Sequence, residues 1–232
     1  MKKAIIKAAI GAATLAALTS TSMAATCDLP PIQDKSKAAL GFELGTQYDT
    51  LYNIFNDCQK AQGVSNGLSS YQITRSKEYS NHVYTVGTSL TVNEMQKTFL
   101  PAFLKENKND PNLTLNFNSK GELYEMNVDA TGMPDGTAEQ LLKTLTKKYG
   151  EPDKASYDGH AVFTNPVNQD KITFNYSSIG GIIHIVGLKF ESHEYKKQLE
   201  VSERDAENAL KAKLEQAAIK SKKQNALIED AF

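Results

Sequence analysis

Tryptophan is absent from the 232 residues and cysteine occurs only twice. Histidine is nearly as scarce: His82, His160, His184 and His193 are the four, and none stands at a metal spacing such as H-x-x-x-H or H-E-x-x-H. With the cysteines better explained as a bridge, no zinc site is expected. There is no glycine-rich phosphate loop, because Gly180-Gly181 follows a strand-like run and opens another, whereas phosphate capture uses a helix N-terminus. An excess of positive charge is missing too. The 26 Lys and Arg meet 27 Asp and Glu, and neither half carries a basic stripe, which argues against nucleic acid as a partner. Beyond the N-terminus no run approaches the roughly 18 apolar residues of a membrane span.

What is present begins with Met1, Lys2 and Lys3, an apolar run from Ala4 to Leu18, and the small residues around Ser22-Met23-Ala24. This is the pattern of a secretory signal peptide over residues 1–24; a membrane anchor would not be broken by Lys7 and Gly11. Export to the periplasm, or secretion, is the expectation. In that compartment Cys27 and Cys58 are expected to form a disulfide, worth roughly 3 to 4 kcal/mol for a loop of about 32 residues in the loop-entropy account. The rival reading makes Cys27 a lipidated first residue. The preceding Ala24-Ala25-Thr26 lacks the residues such processing requires, and Cys58 would be stranded.

The best-punctuated stretch is Thr137 to Asp153. Thr137 with Gln140 has capping-box spacing, Leu141, Leu142, Leu145 and Tyr149 share one helical face, and Gly150 with Pro152 ends the helix. After it, Ala161 with Phe163, Ile172 to Tyr176, and Ile182 to Phe190 read as three strands joined by tight turns, hence an antiparallel sheet with the helix on one face. Before it, Leu40, Phe42 and Leu44 read as a short strand, and Leu51, Tyr52, Ile54, Phe55 and Cys58 as the inner stripe of a helix. Two strands around Ile73 and Val83 to Val86 follow, separated by the polar segment Arg75 to Asn81. Thr91 to Glu94 is read as a second capping box, with Met95, Phe99, Phe103 and Leu104 on its helix and Pro101 kinking or ending it. Leu113 to Phe117 and Tyr124 to Val128 read as a hairpin about Asn118-Ser119-Lys120-Gly121.

From Glu191 onward there is no Gly or Pro, and helix formers of mixed charge extend to the end. Leu199, Ala206, Leu210, Leu214 and Ala217 form a narrow stripe, and Glu200 with Arg204 and Glu207 with Lys211 are favourable pairs. A solvated tail, packing back on the domain and pairing with a partner helix are all open to this segment. The expected fold class is therefore α+β, helices on antiparallel sheet, with units at 25–135 and 136–191 and a charged C-terminal helix at 192–232.

Reactive constellations are hard to find. Gly63-Val64-Ser65-Asn66-Gly67 formally matches the G-x-S-x-G elbow, but a helix precedes it and a strand follows, the reverse of what exposes a nucleophilic serine. Asp129 to Asp135 resembles a calcium loop until Met133 falls on a ligand position. His184 lies in an apolar strand, where a structural histidine is the commoner outcome. Dispersed carboxylates leave a hydrolase as a third class, with no pair singled out. No catalytic, cofactor-binding or metal-binding residue is assigned; the site residues are the half-cystines Cys27 and Cys58.

Gly136-Thr137, Gln140-Leu141 and Tyr149-Gly150-Glu151-Pro152 together resemble the G-[MT]-T-x-x-[QE]-V and later G-x-P pattern of small envelope modules of the BamE (SmpA/OmlA) type. The resemblance implies helices on one face of a small antiparallel sheet. It also implies a tandem of two such units, similar to the architecture of β-lactamase inhibitor proteins. The functional expectation is a non-catalytic periplasmic protein that binds a protein in the cell envelope or a secreted protein, as accessory factor or inhibitor. The alternative is a binder of a lipid or peptidoglycan-type ligand in an apolar groove between helix and sheet.

Overall fold

Period-two alternation of apolar residues and glycine-marked turns build most of this chain into one sheet. A computed structural model describes residues 27–61, 72–92, 99–105, 111–133, 136–156, 159–179 and 182–229. The signal-peptide stretch 1–24, the serine motif 63–67 and Gly180-Gly181 lie outside these residues. A 3₁₀ turn (Lys35–Lys37) leads into a minimal hairpin of β1 (Ala38–Ala39) and β2 (Phe42–Glu43), then α1 (Tyr48–Ala61). Four strands follow, β3 (Gln72–Tyr79), β4 (His82–Val92), β5 (Asn112–Asn118) and β6 (Leu123–Thr131), with the single turn α2 (Ala102–Lys105) before β5. Helix α3 (Thr137–Tyr149) precedes β7 (Lys154–Ser156), β8 (His160–Thr164), β9 (Lys171–Ile179) and β10 (Ile182–Glu191), and α4 spans His193–Glu229.

β3 to β10 form an eight-stranded antiparallel sheet in the order β3-β4-β5-β6-β10-β9-β8-β7. The class is thus α+β, as the alternation predicts. The sheet's centre is the junction of β6 with β10, registered from Ile185 opposite Thr131 to Glu191 opposite Glu125. One face carries Leu113, Leu115, Phe117, Met126, Val128, Phe163, Ile172, Phe174 and Leu188, all buried. α1 lays Leu51, Phe55 and Cys58 on it, with Phe55 against Phe42 and Phe99 and Tyr48 edge-on to Phe117. α3 adds buried Ala138 and Leu145, with Leu141, Leu142 and Tyr149 half-buried beside the same cluster. The bridge Cys27–Cys58, Cα–Cα 5.1 Å, ties the N-terminal arm to α1.

Several local expectations need correction. Leu40 and Gly41 have φ of 56° and 89°, so they form the turn between β1 and β2 instead of continuing one strand. Thr91 and Val92 are the last residues of β4, and the helical turn follows Pro101, whose carbonyl accepts from Leu104 N at 2.9 Å. Proline here opens a turn because its missing N–H is not needed there. Residues 93–98, where the rest of that helix was expected, lie outside the described residues. The polar segment from Arg75 is itself strand, paired with β4 down to Tyr79 opposite His82. Thr137 is the first helical residue of α3, not its cap. Gly136, at φ 80°, holds the cap position without a side-chain bond, and Gln140 N donates to its carbonyl. β7 adds a fourth strand where three were expected.

Candidate functional site

The sheet face opposite α1 and α3 is polar, because every strand that points a hydrophobe at the helices points its neighbour away. Registered across β4, β5, β6, β10, β9 and β8 lie Thr91, Thr114, Asn127, Lys189, Thr173 and Val162. The next row is Asn112, Asp129, Gly187, Asn175 and His160. Asp129, Asn175 and His160 are exposed, and Thr114, Asn127, Lys189 and Thr173 half-exposed. Side chains of this kind stand on registered strands, so a contacting surface would find them already positioned.

A chain of polar contacts crosses this face at the β6–β10 junction. Ser89 Oγ donates to Asn116 Oδ1 at 2.5 Å, and Asn116 Nδ2 and Asn127 Nδ2 both donate to Glu125 Oε1 at 2.7 Å. Lys189 Nζ lies 2.7 Å from Glu125 Oε2 and 3.0 Å from Glu191 Oε2, and Lys196 Nζ donates to Glu191 Oε1 at 2.8 Å. Burial of the Lys189 stem works against its charge, yet the two carboxylates hold the ammonium above the usual lysine range. Burial likewise opposes ionisation of Glu191, but the two lysines outweigh it and keep the carboxyl below the usual range. Both charged forms are therefore favoured in the folded state.

α4 bounds the face along the strand ends. Its start is fixed by Ser192, whose Oγ accepts from Tyr195 N at 3.3 Å, and by Asp170 Oδ1, which accepts from His193 N at 2.9 Å. Lys196 reaches Glu191, Glu203 meets Lys77, and the Lys211 ammonium sits 4.8 Å from the Tyr79 ring centroid. Buried Tyr124 accepts from Arg75 under this helix. The stripe read from the sequence is graded: Leu199 is buried, Ala206, Leu210 and Leu214 are half-exposed, and Ala217 is exposed.

The three histidines with described side chains do not converge. His82 is exposed at the start of β4, His193 at the start of α4, and His160 pairs with Asn175; the side chain of His184 in β10 lies outside the described residues. Among the described residues no three His, Cys, Asp or Glu side chains gather as a metal site, and no helix is long and apolar enough to cross a membrane. Asp129 stands in β6, and residues 134–135 of the calcium-like loop lie outside the described residues. Between α3 and strands β8 and β9 there is a cavity of about 170 Å³, lined by Leu142, Thr146, Ala161, Phe174 and Tyr176. Sequence reasoning missed Lys189, Glu125 and Glu191, whose only signal is charge at outward positions of otherwise apolar strands. No protein-family model matches this chain, and no curated protein or solved structure is similar to it.

Proposed function

We propose that this is a non-catalytic, exported protein of the cell envelope that works by binding another protein through its polar sheet face. The observation that carries the reading is the exposed rows of hydroxyl, amide and charged side chains on β6, β10, β9 and β8, opposite the helix-covered face. Threonine, asparagine and lysine on a rigid sheet suit contact with a mixed-polarity protein surface, where adaptable hydrogen bonding combines with low reorganisation. Export is supported by the Cys27–Cys58 bridge, which belongs to oxidising compartments. In this reading α1 with β3 to β6 and α3 with β7 to β10 are tandem units whose last strands pair, the layout that the resemblance to BamE-type and β-lactamase-inhibitor modules implies.

Capture of a partner from a periplasmic extract, by the native protein and by Thr173→Arg and Asn175→Arg, tests the proposal. A stoichiometric partner bound at least about tenfold more weakly by both variants, at unchanged melting temperature, is the expected result. A partner bound equally by all three would move the site elsewhere. The alternative, a lipid or peptidoglycan-type ligand, has the cavity beneath α3 in its favour. That space is below the roughly 300 Å³ usual for small-molecule sites, which ranks it second. A rise in melting temperature with muramyl peptides or short-chain phospholipid would favour it, by mass action on the folded state.

A further inference from the structure

The C-terminal part of α4 leaves the domain. Among the described side chains Leu214 is the last half-exposed one, and from Glu215 to Ala226 every residue is exposed. The helix nonetheless continues to Glu229, projecting about 22 Å beyond Leu214 at 1.5 Å per residue. Its charge is segregated by length. Residues 200–207 hold Glu200, Glu203, Asp205 and Glu207 against one Arg204, whereas residues 211–223 hold five lysines against one Glu215. Among the described side chains of α4 two large hydrophobes are exposed, Val201 at 41% and Ile219 at 54%. They are eighteen residues apart, five complete turns at 3.6 residues per turn, so they lie on one line along the helix.

We infer that two copies of this chain pair through antiparallel α4 helices, about a two-fold axis near Leu210. With the axis there, Val201 of one copy meets Ile219 of the other twice over. At this register the acidic stretch 200–207 of one helix runs level with residues 213–220 of the other, which carry Lys213 and Lys220, and Glu215 falls beside Arg204 of the other copy on the same flank. The acidic half of each helix thus lies along the basic half of its mate, the self-complementarity that a two-fold interface requires. Beside Val201 a groove of about 520 Å³ runs between α4 and Lys120 of the β5–β6 turn, edged by Glu194, Lys197 and Asp205, and it receives Ile219 of the second copy. A parallel pairing would put like charges side by side. The paired surface is α4 and not the sheet face, so this inference stands apart from the partner-binding reading.

Sedimentation equilibrium of the purified protein tests it, with a dimer of Kd on the order of 10 µM expected. Raising NaCl from about 0.05 to about 0.5 M should weaken that dimer several-fold, since exposed ion pairs are screened. Ile219→Glu is expected to raise Kd at least about tenfold without lowering the melting temperature measured well below that Kd, because its side chain touches only the second copy. Arg204→Glu and Glu215→Arg should each weaken the dimer, and the doubly substituted chain should recover it. In a mixture of Val201→Cys and Ile219→Cys proteins, oxidation should link unlike chains. A monomer at every concentration, a dimer indifferent to Ile219→Glu, or Ile219→Cys chains linked to one another would overturn the inference.

Discussion

Gly45 shows how a single position can be decided from far along the chain. Its φ is 93°, and a Cβ there would run into the ring of Tyr195 in α4. Gly45→Ala therefore combines left-handed strain with a clash and should cost at least about 2 kcal/mol in urea denaturation. Asp170 carries a different tension. Burial pushes its carboxyl above the ordinary value of 3.8, although His193 N–H and the Ser192 hydroxyl both donate to it. For an acid raised in the folded state, the stabilising contribution is full below the unfolded value and is lost as pH rises through the folded one. Asp170→Asn keeps an acceptor for His193 without the buried charge, so its stability relative to the native protein should increase as pH rises above 3.8. Asp170→Ala removes the same titrating carboxyl, so its curve against pH should run parallel to that of Asp170→Asn but about 1 kcal/mol lower, the worth of a helix-start acceptor. Paired denaturation curves across pH separate the two. Glu191, held low by Lys196 and Lys189 against its burial, has the opposite sign and loses stabilisation as pH falls. Neither residue's role is legible in the sequence, since Gly45 depends on Tyr195 and Asp170 on the start of a helix that follows a whole strand.

Among the elements, those with dense local punctuation were the legible ones. The hairpin β5–β6 turns at Asn118 to Gly121 as its residues predict, and Gly150, at φ 91° with its N–H on Thr146, stops α3 where expected. β3 misled because Arg75 and Lys77 look like loop residues; their partners Tyr124 and Glu203 come from β6 and α4, and those distant groups make a charged strand affordable. The disulfide was legible from the cysteine count and the expectation of export. It holds the arm that carries Leu29 against the core cluster and adds a covalent tie between that arm and α1 beyond the backbone. Reduction should lower the stability by roughly 3 kcal/mol in the loop-entropy account, read as a shift in the urea midpoint. Alkylation of two thiols without prior reduction would show that the bridge is not formed.

The junction of β6 with β10 was the part least open to sequence reading, because it pairs segments about sixty residues apart and no local signal chooses between mates. Both runs alternate, so each could have ended its own small sheet. Their pairing instead merges the two halves: Met126, Val128 and Ala130 lie beside Phe190, Leu188 and Val186 within a single buried cluster that also includes Phe55 and Phe174. Splitting the chain at this line would expose that apolar strip and leave two unpaired strand edges, each a template for aggregation. The two sides of the junction should therefore unfold together. Urea denaturation followed by far-ultraviolet circular dichroism and by tyrosine fluorescence should give one superimposable transition, since tyrosines lie in both halves. Two separated transitions would mean that the β6–β10 contact is a docking surface between autonomous domains. In that case Val128→Asp, placed at the junction, would uncouple them; in the cooperative case the same change buries an unpaired carboxylate and should lower the single transition by at least about 3 kcal/mol.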